Sequence, residues 1–529
     1  MVRDRRSGSR SGLLACAAAA LGVAGLFAVC VLLVSLGPGD GSRTYWSPYQ
    51  KLSLRTNKVE GETVSYMLNT NDSWYQQIIN LSPEFVNSHR ELTNAGSVAW
   101  NAYNIPYHFQ KDPQSVLVLG SGMGNDVAAA LRNGAGRVVA VEIDPLILRL
   151  GRELHFEHPY ASPRVHQVLD DARSYIQNSD DRFDLIVFSL LDSHTTSSHF
   201  SNIRIDNYVY TVEALRAAKR LLRDDGIFVV KFQVAAPWIS ARLHGLLETV
   251  FQQSPLQIRA DYFAYTTSGT FFIVGSQERL QAALRDPVLA TYVASHLYRI
   301  YGDVTLTTDD WPYFYQRQPG LPLSVVVISV LVVVMGSIFL KTTSVGAAGI
   351  RWHFFFLGAA FLLLEAQIIS KMALLFGTTW LVNSIVIAGL LLLIIASNFV
   401  VQRFPHFPFA WAYAGIALSV VLAYFVPMQA LFVRSIGLRA LVATATLCLP
   451  VFFAGIVFVR SFAEAGFRGE CLGSNLLGSL VGGVLESLSF LVGLKALVLL
   501  AGLLYAASAV SLLAKPERIA ALAASTERN

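Results

Sequence analysis

Hydrophobic and polar positions divide the chain into regions of two kinds. Eight apolar runs are long enough to cross the hydrocarbon core of a bilayer as helices. They lie at 13–36, 321–340, 353–375, 377–400, 409–427, 438–459, 472–494 and 496–514. Residues 37–320 mix apolar, charged and turn-forming positions over a length sufficient for a soluble core. The pattern predicts one N-terminal span, a large soluble domain and a seven-helix bundle.

The first apolar run has two interpretations. The arginine-rich start "MVRDRRSGSR" is compatible with a signal peptide. The apolar run that follows is longer than a signal-peptide core, and no clear small-residue cleavage site ends it. The sequence therefore favours a retained membrane anchor.

Periodicity changes within the soluble region. Between 45 and 82, "SPYQKLSL", "TVSYMLNT" and "SWYQQIINL" are strand-like and separated by Gly, Asn and Asp. From 116 onward, apolar strands alternate with helical stretches: "SVLVLG", "RVVAVEID", "RVHQVL", "FDLIVFSL" and "GIFVVKF". This alternation is typical of a parallel sheet covered by helices on both faces. "DYFAYTT" and "TFFIVGS" predict a closing antiparallel hairpin, an arrangement that resembles the class I methyltransferase fold.

Composition narrows the possible functions. Hydrophobic residues make up 53% of the 529 residues, more than one soluble globule needs. The four cysteines, at 16, 30, 448 and 471, lie in or beside predicted spans, so they offer neither a disulfide framework nor a CxxC metal site. The net charge of +5 is modest and spread out, without basic runs interleaved with aromatics. Nucleic-acid binding therefore has little support.

A glycine-rich turn follows the first parallel strand in "VLVLGSGMGNDVAAAL". A dinucleotide fingerprint has glycines at its first, third and sixth positions. Here Gly120, Gly122 and Gly124 occupy the first, third and fifth, and Asn125 the sixth. The GxGxG pattern resembles S-adenosylmethionine sites more than NAD sites.

Acidic residues follow the next two strands. Glu142, in "VEID", is the natural ligand of both ribose hydroxyls, and Asp144 is a possible helper. In "VLDDARSYI", Asp171 and Ala172 stand where an adenine edge would lie. Each acidic residue alone could simply cap a helix. Three matching pieces on successive strands predict an adenosyl-binding site.

The segments "VLVLGSGMGND", "VVAVEIDP", "SPRVHQVLDDARSYI" and "RFDLIVFSLLDS" together resemble the spermidine synthases, the polyamine aminopropyltransferases. The resemblance covers about 45–280, and the membrane part is similar to bacterial membrane-embedded members of that group. It implies that the donor, decarboxylated S-adenosylmethionine or its nucleoside product, contacts the following residues. They are Gln50, Glu142, Asp144, Asp171 and Ala172, together with the turn glycines.

The resemblance implies a displacement at a sulfonium-bound carbon by a neutral amine, with a carboxylate that accepts the amine proton. This chain departs from the family at acceptor positions. Met123 stands where the glycine turn of the family has an Asp, and "SLLDS" replaces a DSSDP-like loop, in which only Asp192 is retained. Asp192 is therefore the candidate catalytic base, and His194 and His199 could share the proton transfer. The structural alternative is that Asp192 is a polar loop residue that caps "SHTTSSHF". Fewer carboxylates argue against putrescine and favour a less charged, larger or apolar acceptor.

The sequence as a whole predicts an α/β class I methyltransferase-like (Rossmann-like) domain with a small N-terminal β region, fused to an α-helical transmembrane bundle. The expected segments are an anchor at 1–39, a β region at 40–112, an adenosyl-donor-binding catalytic domain at 113–320, a seven-helix bundle at 321–515 and a polar tail at 516–529. Gly478 and Gly482 form a GxxxG motif suited to close helix packing.

The function expected from the resemblance is aminopropyl transfer from decarboxylated S-adenosylmethionine to an amine, with no tightly bound cofactor and no metal. Two alternatives are a methyltransferase that uses S-adenosylmethionine on a membrane-associated acceptor, and a transporter or sensor without turnover. The expected partners are a small-molecule amine or membrane-associated acceptor and the lipid bilayer, with homo-oligomerisation left open.

The distribution of arginine and lysine predicts a multi-pass protein whose amino terminus is cytoplasmic and whose soluble domain lies outside. Because adenosyl donors are made inside cells, either the orientation is inverted or donor supply across the membrane is part of the function. Just before the bundle, "TTDDWPYFYQRQPG" combines two carboxylates with aromatic residues. We interpret this segment as an aromatic anchor at the bilayer edge, with a position under the active-site mouth as the alternative.

Overall fold

The structure is a computed structural model. It describes residues 21–22, 24–29, 31–32, 41–93, 98–191, 207–260, 269–342, 349–377, 380–426, 428–431, 433 and 435–513. The chain forms two compact units that divide between Ile79 and Asn80. The five-segment division expected from the sequence stays a prediction.

The first unit contains a four-stranded antiparallel meander in chain order. Its strands are β1 (Arg43–Trp46), β2 (Lys51–Val59), β3 (Glu62–Thr70) and β4 (Ser73–Ile79). Glu60 and Gly61 join β2 to β3, Asn71 and Asp72 join β3 to β4, and all four have positive φ. Two-residue turns of this kind match the twist of a hairpin. The strands predicted between 45 and 82 are confirmed.

The second unit begins with two short helices and continues as alternating strands and helices. The helices are α1 (Pro83–Ser88), α2 (Ile105–Phe109), α3 (Asn125–Arg132), α4 (Pro145–Leu154), α5 (Ala172–Asn178), α6 (Val212–Arg220), α7 (Pro237–Phe251), α8 (Gln277–Ala283) and α9 (Pro287–Ser295). The strands are β5 (Ser115–Leu119), β6 (Arg137–Glu142), β7 (Val165–Leu169), β8 (Phe183–Phe188), β9 (Leu222–Phe232), β10 (Leu256–Ala260) and β11 (Gly269–Gly275).

The seven strands form one sheet in the order β10-β11-β9-β8-β5-β6-β7. The five strands from β9 to β7 are parallel, and β11 is antiparallel to both β9 and β10. Every residue of β5 and β8 is buried, as expected for central strands covered on both faces. The methyltransferase-like fold is confirmed, and its topological switch point lies between β5 and β8, where ligands bind in open α/β sheets.

The closing hairpin differs from its prediction in one strand. The antiparallel pair is confirmed, and β11 matches "TFFIVGS". Its described partner is β10, Leu256–Ala260, where Ile258 and Ala260 are buried. Residues 261–267, which were expected to form that strand, lie outside the described residues.

Apolar helices make up the C-terminal part. They are α10 (Leu323–Thr342), α11 (Trp352–Phe376), α12 (Trp380–Arg403), α13 (Phe409–Phe425), α14 (Ile436–Leu447), α15 (Leu449–Ala463), α16 (Arg468–Glu486), α17 (Ser489–Val492) and α18 (Lys495–Leu513). Within the described residues, four helical stretches are long and apolar enough to span a membrane, or five if α14 and α15 form one bent span.

The structure thus supports fewer spans than the eight predicted. Counted over the described side chains alone, two further apolar stretches, Leu323–Ile338 and Phe409–Phe425, have fewer than the 18 residues that a span needs. Another expected span is broken by a 50° bend between α14 and α15. Pro450 follows that break, and proline removes a helical hydrogen bond and clashes with the preceding turn. Most of the predicted first span lies outside the described residues.

The GxxxG prediction is confirmed by the packing of α16 on α11. A Cβ atom at Gly478 would collide with the Phe355 carbonyl oxygen, and one at Gly482 with the Ala359 carbonyl oxygen. The two helix backbones are therefore in contact, which only small residues at these positions permit.

Residues 307–315, hereafter the junction segment, join the α/β domain to the bundle. On the domain side, the Asp309 carboxylate pairs with Arg173 of α5 at 2.7 Å and accepts a hydrogen bond from the Thr211 hydroxyl at 2.8 Å. On the bundle side, the Asp310 carboxylate accepts from the Lys495 backbone amide at 2.7 Å. Adjacent carboxylates thus fasten two different parts of the molecule.

The aromatic residues of the junction segment lie inside the protein. The Trp311 indole donates to the Phe490 carbonyl oxygen at 2.9 Å, and the Tyr313 hydroxyl is hydrogen-bonded to the Ser489 hydroxyl at 2.5 Å. Trp311 is 7% exposed and Tyr313 is 2% exposed. The interpretation of this segment as an anchor at the bilayer edge is therefore wrong, because these side chains satisfy their polar groups within the protein.

Candidate functional site

The glycine-rich turn after β5 has a backbone that depends on glycine. Gly120, Gly122 and Gly124 have φ angles of 72°, 54° and 110°, which L-residues with side chains rarely adopt. Gly124 caps α3 and has no side chain with which to satisfy the first amides of that helix. Amides at a helix start favour polar or anionic groups.

Tyr160, which the sequence did not single out, holds this turn in place. Its hydroxyl donates to the Gly122 carbonyl oxygen at 2.7 Å and is hydrogen-bonded with the Ser121 hydroxyl at 2.9 Å. A Cβ atom added to Gly124 would lie 3.1 Å from the ring of Tyr160, which is a tight contact. The segment that precedes β7 thus holds the glycine turn through Tyr160.

Glu142, at the end of β6, is joined directly to the turn. One carboxylate oxygen accepts from the Gly122 amide at 2.8 Å, and the other accepts from the Asp144 amide at 3.0 Å. Glu142 is 2% exposed. Burial, together with the nearby Asp144, raises its pKa to about 7 against the opposing effect of the backbone hydrogen bonds. Each carboxylate oxygen keeps acceptor capacity for a ligand hydroxyl.

The other predicted donor ligands also occupy strand ends. The Asp144 carboxylate caps α4 by accepting from the Leu146 amide at 2.9 Å. The Asp171 carboxylate caps α5 by accepting from the Ser174 amide at 3.0 Å, and Ala172 is the first residue of that helix. The capping roles that the sequence allowed are therefore present for both aspartates. Their contacts with a donor stay predictions.

The bundle contributes to the surroundings of Asp171. Gly377, at the end of α11, approaches the Asp171 side chain so closely that a Cβ atom would collide with it. Arg439 of α14 donates to the Asn178 side-chain oxygen of α5 at 2.7 Å and to the Leu375 carbonyl oxygen at 3.1 Å. The predicted adenine end of the site therefore lies against the bundle.

Asp170, next to the predicted adenine ligand, also has an altered acidity. Burial and the neighbouring Asp171 raise its pKa to about 6, although Arg439 opposes that shift. A cation of the bundle thus acts electrostatically on this strand end.

The segment after β8 lies at the switch point. The Ser189 amide donates to the Leu119 carbonyl oxygen at 3.0 Å, which keeps the chain beside β5. The Leu191 side chain covers Gly120, where a Cβ atom would collide with it. Asp192, His194 and His199 lie outside the described residues, so the catalytic assignment of Asp192 stays a prediction.

A buried polar cluster beside the turn was missed by the sequence analysis. The Asp126 carboxylate of α3 forms an ion pair with the Lys231 ammonium of β9 and accepts from the Ser189 hydroxyl at 2.5 Å. The Lys231 ammonium lies 4.7 Å from the centre of the Tyr103 ring, whose hydroxyl accepts from the Asn125 side chain at 3.0 Å. The lysine in the apolar run "GIFVVKF" was the available indication, because a strand buried on both faces rarely carries a charge.

Gln50 belongs to the first unit. It directly precedes β2, and its amide donates to the Ser47 hydroxyl at 3.0 Å. Its predicted contact with the donor stays a prediction.

Residues 102–280 match the family model described as "Spermine/spermidine synthase domain". This range contains the glycine turn, Glu142, Asp171 and the buried Lys231 cluster. The chain is also similar to a polyamine aminopropyltransferase of Pyrobaculum calidifontis, with 30% identity over 128 residues, which are 23% of this chain and 42% of that protein. Polyamine aminopropyltransferase 2 of Hyperthermus butylicus is 27% identical over 205 residues, 36% of this chain and 63% of its own length.

The matched regions span less than two thirds of these relatives, from 35% to 63% of the first five. Among solved structures, the spermidine synthase of Thermotoga maritima matches with 14% identity and a TM-score of 0.35, covering 50% of this chain and 80% of that one. A probable spermidine synthase of Corynebacterium glutamicum matches with 18% identity and a TM-score of 0.33, covering 50% and 99%.

Proposed function

We propose, from the premise that residues 102–280 belong to the spermine/spermidine synthase family, that this protein is a membrane-bound aminopropyltransferase. It transfers the aminopropyl group of decarboxylated S-adenosylmethionine to an amine acceptor. The observation that carries the proposal is the link between the glycine turn and the Glu142 carboxylate, at a sheet edge within the family-matched range.

The donor is held along β5, β6 and β7. The Glu142 carboxylate accepts the ribose hydroxyls, and Asp171 with Ala172 borders the adenine. The turn lets the backbone approach the donor closely, since no side chain projects from Gly120, Gly122 or Gly124. Glu142 is hydrogen-bonded to the turn, and the Leu191 side chain covers Gly120. These side chains therefore rearrange when the donor enters.

The reaction is a nucleophilic displacement. The lone pair of the neutral amine forms the new nitrogen–carbon bond, while the carbon–sulfur bond breaks and its electron pair returns to sulfur. The sulfonium becomes the neutral thioether of 5′-methylthioadenosine. Asp192 accepts the proton that the amine loses, because it follows β8 in the sequence and is the carboxylate retained from the DSSDP-like loop.

Calorimetry on the full-length protein in detergent tests the proposal. We expect decarboxylated S-adenosylmethionine and 5′-methylthioadenosine to bind, with product formed when an amine is added. S-adenosylmethionine, which differs from the donor only by its carboxyl group, is the matched control and should bind more weakly. Preferred binding of S-adenosylmethionine with methylated product would support the methyltransferase alternative, which the neutral Met123 in the turn favours. Binding of neither compound would contradict the proposal.

We infer further that the protein is a multi-pass membrane protein whose soluble domain is extracytoplasmic. Support comes from the charges at the helix ends. Among the described residues, the helix ends remote from the domain carry Lys341, Arg351, Arg403, Arg460 and Arg468, whereas the near ends carry Arg439 and Lys495. Positive residues concentrate on the cytoplasmic side of membrane proteins.

Cysteine labelling in intact cells tests this orientation. In a protein whose four native cysteines are replaced by serine, Asp224→Cys in the soluble domain should react with a membrane-impermeant maleimide. Gly466→Cys, exposed between α15 and α16, should react only after the cells are opened. The reverse labelling pattern would place the domain in the cytoplasm.

A further inference from the structure

The ion pair between Asp126 and Lys231 lies beside the glycine turn, on the side away from the predicted ligands of the donor. The predicted donor ligands are at the ends of β5, β6 and β7. Lys231 stands one residue before the end of β9, and Ser189 directly follows β8. Because β5, β8 and β9 are adjacent and parallel, these groups meet at the same edge of the sheet, on the other side of the turn.

Asp126 supplies a carboxylate at the place where the loop after β8 has lost one. The resembled family has an acidic residue at the position of Ser189, and here the Ser189 hydroxyl instead donates to Asp126 at 2.5 Å. A carboxylate contributed by α3 thus replaces one expected from the loop. It differs in one respect, because its charge is already neutralised by Lys231.

The cluster has no acidic charge left for an external cation. Asp126 and Lys231 are each 3% exposed, and the ring of Tyr103 covers the ammonium. Met123, in the turn, is fully buried and apolar. A second ammonium in this place would be next to Lys231, and among the described residues the carboxylate that faces this ammonium, Asp126, is already paired. Burying an unpaired charge is strongly unfavourable.

We propose that Lys231 is a specificity-determining residue. Its ammonium takes the place of the second, non-reacting ammonium of a diamine, so the acceptor is an amine whose only nitrogen is the one that reacts. This inference rests on the proposed transferase function and names the acceptor class of the same site.

A pair of matched acceptors tests the assignment. 1-Aminobutane and 1,4-diaminobutane have the same carbon chain and differ by one amino group. The wild-type protein should show the lower KM for 1-aminobutane. Lys231→Met removes the ammonium, retains the length of the side chain and leaves the Asp126 carboxylate for an external cation. We expect it to change the ratio of the two KM values at least tenfold in favour of the diamine.

The double variant Lys231→Met/Asp126→Asn is the matched control. It lacks both charges, so the gain in diamine preference should disappear. If Lys231→Met and the double variant show the same preference, the carboxylate does not recruit the diamine and the proposal is overturned. A wild-type protein that uses 1,4-diaminobutane with the lower KM overturns it as well.

Measuring donor binding distinguishes a failure of the proposed function from a failure of the role of Lys231. Each protein is titrated with 5′-methylthioadenosine, which reports an intact donor site. If the wild-type protein binds no adenosyl compound, the proposed function fails. If it binds and turns over while preferring the diamine, only the role of Lys231 fails. If Lys231→Met does not fold, the comparison of the two acceptors on the wild-type protein decides.

Discussion

Asp192→Asn is expected to keep the donor affinity of the wild-type protein and to reduce turnover by roughly 10²- to 10⁴-fold, the usual contribution of a general base. The substitution keeps the shape of the side chain and removes its capacity to accept a proton at neutral pH. The protonated amine then has no lone pair with which to attack. Titration with 5′-methylthioadenosine measures donor binding, and mass spectrometry of the alkylated amine measures turnover.

Asp206→Asn is the matched control, since it makes the same chemical change 14 positions further along the chain. It should leave turnover within a few-fold of the wild-type value. Unchanged turnover in Asp192→Asn would remove Asp192 from the role of base. A selective loss in His194→Gln or His199→Gln would then assign the proton transfer to that histidine.

Glu142→Gln is expected to weaken donor binding by roughly 10- to 150-fold, which corresponds to about 1.5–3 kcal/mol for hydrogen bonds to a charged group. The carboxylate presents two acceptor oxygens, whereas the amide replaces one of them with a donor that opposes the Gly122 or Asp144 amide. Calorimetric titration with 5′-methylthioadenosine measures the loss. Glu153→Gln, a half-exposed position on α4, should bind the donor as the wild-type protein does.

Donor affinity should also depend on pH through the same group. The pKa of Glu142 is raised to about 7 in the folded, donor-free protein from an ordinary value of 4.5. Its contribution to stability is therefore fully present below pH 4.5 and is lost as pH rises through 7. The ionised form is the better acceptor of ribose hydroxyls, so affinity should rise between pH 6 and 8. The slope should vanish in Glu142→Gln; a slope retained there would assign the titration to another group.

Strand positions and strand-end residues were accessible from the sequence because they follow from local patterns. β5 and β8 are short apolar runs bounded by turns. Glu142 is the last residue of β6, and Asp171 follows the end of β7 by two residues. The sheet order then brings them to one edge, as the parallel arrangement requires. The fold of the α/β domain was thus predictable in outline.

Contacts between distant segments were not accessible in this way. Asp126 and Lys231 are 105 positions apart, and neither residue indicates its partner. Gly377 and Asp171 belong to segments with different periodicities, so no local rule predicts that they touch. The Trp311 and Tyr313 side chains have a composition typical of a bilayer edge, and only their partners at Phe490 and Ser489 show that they are enclosed by protein.

The paired aspartates of the junction segment have a consequence for how the molecule can be divided. The Asp309 carboxylate pairs with Arg173 of α5, and the carboxylate of the next residue, Asp310, accepts a hydrogen bond from the first amide of α18. A cut before Asp309 would therefore leave the buried Arg173 without its counter-charge, and a cut after Asp310 would leave the start of α18 without its cap. The change in hydrophobicity along the chain does not separate two compact units, because the α/β domain and the apolar helices belong to one unit, residues 80–529.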